Sequence, residues 1–307
     1  MRRSLDGREV VVPIAVRVVS RGTSGVLGIT LLAFVAACSS DRTASGGAPE
    51  KEDSSVTSAA CTRDGLSRLV GNYFDALAAH DASTLPLAKA VKFTENTQIT
   101  RIGDGLWQTA GALDFRRDII DADHCATVTQ AVIEEQGKQI IFALRLQVAT
   151  QRITEIETIV VRGEGVDSIW FHPDVIANTP QPEWDDVVPK DEQSTRDELV
   201  ALADQYFDLF VDGDVSMFPF ADDCSRYEDG LFTTGNGGCP AFITPGGTIG
   251  ARRYPVADAE HGTVAGFTIA EGTFLDLHMF KVSGGKVERI QAVMTSQIDG
   301  SADTGWD

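Results

Sequence analysis

The residues best suited to chemistry lie in the segment Thr273 to Val282, TFLDLHMFKV. As a strand it places Phe274, Asp276, His278 and Phe280 on one face and Leu275, Leu277 and Met279 on the other. The uniformly apolar face is expected to pack against a helix, which leaves Asp276 and His278 toward a cavity. An imidazole beside a carboxylate is a serviceable general base for removing a proton next to a carbonyl. With Glu228 as a second carboxylate and Tyr206 or Tyr227 as a hydroxyl donor, an acid–base site can be assembled. The same strand also fits a structural role, with His278 hydrogen-bonded on a solvent-facing or partner-facing side.

The elements that must position these residues occur twice. Residues 66–96 align without a gap to residues 199–229, at an offset of 133, so that Tyr73-Phe74-Asp75 falls on Tyr206-Phe207-Asp208 and Glu95 on Glu228. Further on, Arg116-Arg117 matches Arg252-Arg253, and the stretch from Ile153 matches the one from Val287. The drift of the offset from 133 through 137 to 134 is what short loop insertions produce between two copies of one domain. Copy one has no histidine in the corresponding strand, where Phe142, Leu144, Leu146 and Val148 share a face. Arg145 there is expected to steady a ligand carboxylate or to pair with Glu134. Glu95 with Arg116, and Glu228 with Arg252, suggest a polar pocket floor or a structural ion pair in each copy.

Each copy opens with an amphipathic helix, in which Leu66, Leu69, Val70, Tyr73, Phe74 and Leu77 recur at three and four. Thr62 and Thr195 read as N-caps. Short helical turns are expected at 82–87 and 215–220, followed by strands at 92–96 and 225–229, 113–121 and 251–258, and then three long strands per copy. Val282-Ser283-Gly284-Gly285-Lys286 signals a hairpin. The turn residues His124 and His261 read as hairpin tips, Trp107 and Phe232 as core or pocket wall, and Trp306 as tucked onto the second copy. No nucleotide-loop, serine-hydrolase or zinc-protease motif is found, so neither a cofactor nor a metal is expected.

Residues 1–37 combine five arginines with the apolar run GVLGITLLAFVAA and lead into Cys38, the pattern of a lipoprotein signal peptide whose cysteine becomes the lipidated first residue. Residues 38–60 read as a flexible tether. The chain carries 26 basic and 45 acidic residues, a net charge of -19. Removing 1–37, with five Arg against Asp6 and Glu9, takes it to -22, which argues against a nucleic-acid partner. Four further cysteines allow two disulfides in an exported protein, Cys224 with Cys239 first and Cys61 with Cys125 as the remaining pair.

The YFDAL-type first helix, the FTEN and RYEDG strands and the closing KVERIQAVMT strand resemble the nuclear transport factor 2-like (NTF2-like) superfamily in its SnoaL-like branch. That resemblance implies an α+β fold of two tandem cone-shaped domains, each a curved antiparallel sheet packed on N-terminal helices and enclosing a pocket. It also implies scytalone-dehydratase-like or isomerase-like chemistry, or plain ligand binding. The expected domains are 61–176 and 196–298, joined by a linker at 177–195 and followed by a tail at 299–307. The leading expectation is a lipid-anchored protein of the periplasm or cell exterior, held to the membrane through Cys38. Its two copies form an intramolecular pseudo-dimer and bind a small apolar, aromatic or carbonyl-containing ligand or act as a structural module. The alternative is a cofactor-free dehydratase, isomerase or cyclase using His278 and Asp276.

Overall fold

A computed structural model describes residues 61–179, 181–298 and Trp306. The expected signal peptide, the lipidated Cys38 and the tether at 38–60 lie outside the described residues. Among those described, no helix is long and apolar enough to cross a membrane.

The chain repeats one unit. In the first half, helix α1 (Arg63–Ala78) precedes strands β1 (Leu87–Glu95), β2 (Gln98–Ile99), β3 (Ala110–Asp121), β4 (Ala126–Glu135), β5 (Lys138–Ala149) and β6 (Arg152–Val161). A short helix α2 (Pro173–Asn178) follows. In the second half, helix α3 (Arg196–Asp212) precedes β7 (Phe220–Glu228), β8 (Leu231–Phe232), β9 (Arg253–Asp258), β10 (Thr263–Ala270), β11 (Phe274–Ser283) and β12 (Lys286–Thr295). Both helices begin as their sequences demand. Thr62 accepts a hydrogen bond from the Gly65 amide, and Thr195 forms a capping box with Glu198.

Each half is one six-stranded sheet, ordered β2-β1-β6-β5-β4-β3 and β8-β7-β12-β11-β10-β9. These sheets correct the expected cone. The two edge strands of each sheet are not bonded to one another, so each sheet is open and encloses nothing by itself. Nor are they purely antiparallel. Strands β3 to β6, and β9 to β12, run as hairpin-linked meanders, whereas β1 pairs parallel to β6 and β7 parallel to β12. The expected helical turn is present at Ala82–Thr84 but not in the second half, where Phe220 already belongs to β7.

Three apolar clusters explain the layering. α1 packs on one face of the first sheet through Leu66, Val70, Tyr73 and Phe74 against Phe142 and Leu146. α3 packs likewise through Leu199, Ala203, Tyr206 and Phe207 against Phe280 and Ile290. The opposite faces of the two sheets bury each other, with Val128, Ile141 and Ile159 in one cluster with Phe267, Leu277 and Met279. The face of Leu275, Leu277 and Met279 thus meets the other half rather than a helix. A run of apolar residues on alternate positions specifies a dry partner but not which one.

Reciprocal ion pairs cross between the halves. Arg63, at the start of α1, reaches Asp258 at the end of β9, and its counterpart Arg196, at the start of α3, reaches Asp121 at the end of β3. Such exchange is the signature of a two-fold arrangement, and the halves form a pseudo-dimer of similar tandem domains. Between the sheets Glu157 accepts from Arg145 at 3.0 Å and from Arg253 at 2.7 Å. Arg145 therefore pairs with Glu157 and Glu155 rather than with Glu134. Trp306 packs on the first half, not the second, donating to Thr94 at 2.8 Å beneath Lys92 and Arg145.

Both disulfides are present as expected, Cys61 with Cys125 and Cys224 with Cys239. The first ties the start of α1 to the β3–β4 turn. The second ties β7 to the loop that precedes β9.

Candidate active site

The second half contains a cavity of about 480 Å³. Its floor is the helix-facing side of the sheet, where Arg226 and Glu228 of β7 and Asp276 and His278 of β11 converge. One wall is α3, through Phe207 and Phe210, and the roof is the loop 244–249. That loop sits where α3 ends. Gly246 and Gly247 donate to the carbonyls of Val211 and Phe210 at 3.1 and 2.9 Å, satisfying acceptors that the last helical turn leaves open. The helix stops at Gly213 in a left-handed conformation, and a side chain there would drive into Pro245. The Cys224–Cys239 bridge holds the segment leading into the roof to the same strand that carries Arg226 and Glu228.

His278 is 4 % exposed, and neither ring nitrogen has a hydrogen-bond partner within the protein. Its Nδ1 lies 3.0 Å from Asp276 Oδ1, close enough for an ion pair once the ring is protonated but not aligned as a hydrogen bond. A buried polar group left unmatched is costly unless something else meets it. The ring is clasped by Tyr206 and Phe207, each with its centroid 5.3 Å away, and stacks on Phe280 at 5.8 Å.

The second polar group is a buried chain. Arg226 donates to Tyr206 Oη at 3.0 Å and to Thr233 at 2.9 Å, and stands 3.4 Å from Glu228. Burial raises the pKa of Glu228, against the pull of Arg226 and His278, while Asp276 adds to the rise. The Tyr206 phenol is pushed up to about 12, chiefly by burial, so it stays protonated. Burial works against the charge of Arg226, but Tyr206 and Glu228 outweigh it and keep it a cation.

Of the expected site residues, Asp276, His278 and Glu228 line one cavity and Tyr206 stands behind it on Arg226. Tyr227 does not join them. Alternation along β7 turns it to the opposite face, where it meets Phe232 at 5.0 Å and a small cleft beside Gln291 and Arg117. The expected Glu–Arg floor is not formed either: Arg252 binds Asp204 and Asp208 of α3, and Arg116 lies 3.4 Å from Asp118. Trp107 is core, whereas Phe232 is 46 % exposed. Arg226 escaped sequence reasoning although its spacing of two from Glu228 puts both on one strand face. The roof loop carried no comparable signal.

A further cluster of ionisable groups lies outside the cavity. Asp258, Glu260 and His261 could together hold a metal ion, but Asp258 already binds Arg63 and His261. A metal would compete there with a guanidinium.

Fold and site together define a tandem α+β protein with a polar cavity in its second half. A family model described as "Domain of unknown function (DUF8021)" matches residues 192–294, which span that half from just before α3 to the end of β12. No curated protein matches the chain. This match, together with the open sheets, replaces the expected NTF2-like, SnoaL-like assignment and the cone-pocket lipoprotein reading built on it.

Proposed function

We propose that the second half is an enzyme of proton transfer, a dehydratase or isomerase acting on a small apolar or aromatic compound that carries a carbonyl. The observation that carries this reading is His278, buried at a cavity with both ring nitrogens unpartnered and a carboxylate 3.0 Å away. His278 removes a proton from carbon next to the substrate carbonyl, and Asp276 stabilises the imidazolium so formed. Arg226, fixed by Tyr206 and Thr233, supplies positive charge for the oxygen that gains electron density. Burial biases Glu228 toward its protonated form, so it can give its proton to a leaving hydroxyl. In a dehydration the C–H bond yields its electrons to the new double bond, the C–O bond breaks, and the hydroxyl leaves as water. In an isomerisation the proton on His278 returns to another carbon.

The first half is non-catalytic in this account. With domain limits of 61–176 and 196–298 and a linker at 177–195, each domain holds one sheet and its long helix, and the first limit falls inside α2. The two disulfides support an oxidising compartment outside the cytosol.

Mass spectrometry of the purified chain under native conditions tests the reading. A small neutral molecule retained by the wild type and lost from His278→Asn supports it. Retention unchanged by that substitution overturns it.

A further inference from the structure

The cavity of the second half has a wall from the first. Trp170 lines it and meets Phe274 edge to face, with ring centroids 5.9 Å apart. The segment that carries Trp170 is held against the second half on both sides. Before it, Asp167 is buried and accepts from Thr295 Oγ1 at 2.7 Å and from the Ser296 amide at 3.0 Å, at the end of β12. After it, Phe171 forms a β-bridge with Gly230, and the His172 amide donates to the Asp229 carbonyl at 2.7 Å. Gly230 is required for this approach. It adopts a φ of +90°, and a Cβ there would lie 2.1 Å from the His172 carbonyl oxygen. The docking point is the turn directly after Glu228, so the strap that delivers Trp170 also braces the strand end bearing an acidic site residue.

We infer that Trp170 is a specificity-determining residue: a planar part of the substrate stacks between it and the α3 aromatics, and the first half is therefore a required component of the second half's site. This rests on the proposed use of the cavity and deepens it. Arg226, Glu228, Asp276 and His278 line the same cavity, so the polar group of the substrate engages these four while its ring system lies on Trp170. The matched family segment, 192–294, does not include this wall. The first half, which has Phe142 and Leu144 where the second has the polar pair, thus contributes to the site through the surface it lends.

The test uses the full chain and two probes of one skeleton, planar 2-naphthol and its saturated analogue decahydro-2-naphthol. Binding is followed by the His278 ring signal in NMR, identified by its loss in His278→Asn. The wild type should bind 2-naphthol more tightly than the saturated alcohol. Trp170→Ala should weaken 2-naphthol about five- to tenfold, the scale of one aromatic contact, and change the saturated alcohol less than twofold. Trp170→Phe should recover most of the loss. Equal weakening of both probes, or none, overturns the assignment of Trp170 while the cavity stands. A His278 signal that neither probe moves in the wild type overturns the use of the cavity and this inference with it.

Discussion

His278 occupies in the second sheet the position that Leu144 holds in the first. Leu144 pairs with Thr158 across β5 and β6, and His278 pairs with Ala292 across β11 and β12, at the repeat offset of 134. Two residues earlier, Phe142 stands where the second half has Asp276. One half thus fills this space with apolar side chains that pack on Phe74, while the other opens it and lines it with an acid and a base. The difference between a core and a site rests here on these two side chains together with Arg226, which stands where the first half has the buried Phe93.

Restoring the first half's residue should therefore close the site. His278→Leu removes a buried imidazole whose nitrogens have no partner, and it should raise stability by about 1 kcal/mol while abolishing ligand binding. Denaturant unfolding and probe titration check the two effects together. A variant that is destabilised by more than about 2 kcal/mol would show that His278 is structural.

Arg226 is expected to behave differently. It is 1 % exposed and holds Tyr206, Thr233 and Glu228. Arg226→Met leaves Tyr206, Thr233 and Glu228 without their buried partner and should cost about 3 kcal/mol. Tyr206→Phe removes one hydrogen bond and should cost about 1 kcal/mol. The ordering of these two losses in thermal melts is the check.

Asp229 gives a pH prediction. It is wholly buried, and burial above all raises its pKa well above the ordinary carboxylate range, with the Met294 amide pulling the other way and Asp276, Asp167 and Glu228 adding to the rise. Such a carboxyl holds its proton in the folded state after the unfolded chain has lost it. Its contribution is favourable at low pH and is lost as pH climbs from the carboxylate range toward the folded value. Asp229→Asn should then stabilise the protein at pH 7 by about 1–3 kcal/mol and have little effect at pH 4. Its left-handed φ of 46° suits asparagine. An equal effect at both pH values would refute the titration.

The disulfide between Cys224 and Cys239 should matter for site and stability alike. Removing both sulfurs as Cys224→Ala with Cys239→Ala frees a loop with a sequence separation of 15 and should cost about 3 kcal/mol. Because the bridge anchors the segment leading to the roof, probe affinity should fall with it. Unchanged affinity in the folded double variant would separate the roof from the bridge.

Much of this was legible in the sequence because it rests on local periodicity. The capped helices, the hairpins and the Cys224–Cys239 bridge follow from residue types at short spacing, the repeat from two stretches that align without a gap, and Cys61–Cys125 from being the remaining pair. Alternation along β11 grouped Asp276 with His278, and alternation along β7 would have separated Tyr227 from Glu228 had it been applied there. What escaped depends on contacts far apart in the chain. The apolar face of Leu275, Leu277 and Met279 could not reveal that it meets the first sheet. Trp170 lies more than a hundred residues before Phe274, and Arg63 nearly two hundred before Asp258, with nothing local to announce either contact. The cone failed for a similar reason, since closure depends on whether edge strands meet and no strand declares its edge neighbour.

The most direct test of proton transfer at His278 is the rate of hydrogen–deuterium exchange at the acidic C–H bonds of 2-tetralone in D2O, followed by NMR with and without the protein. The wild type should accelerate the exchange well above the buffer rate, and His278→Asn should return it to that rate while remaining folded. Acceleration that survives His278→Asn, or none with the wild type, would contradict the account.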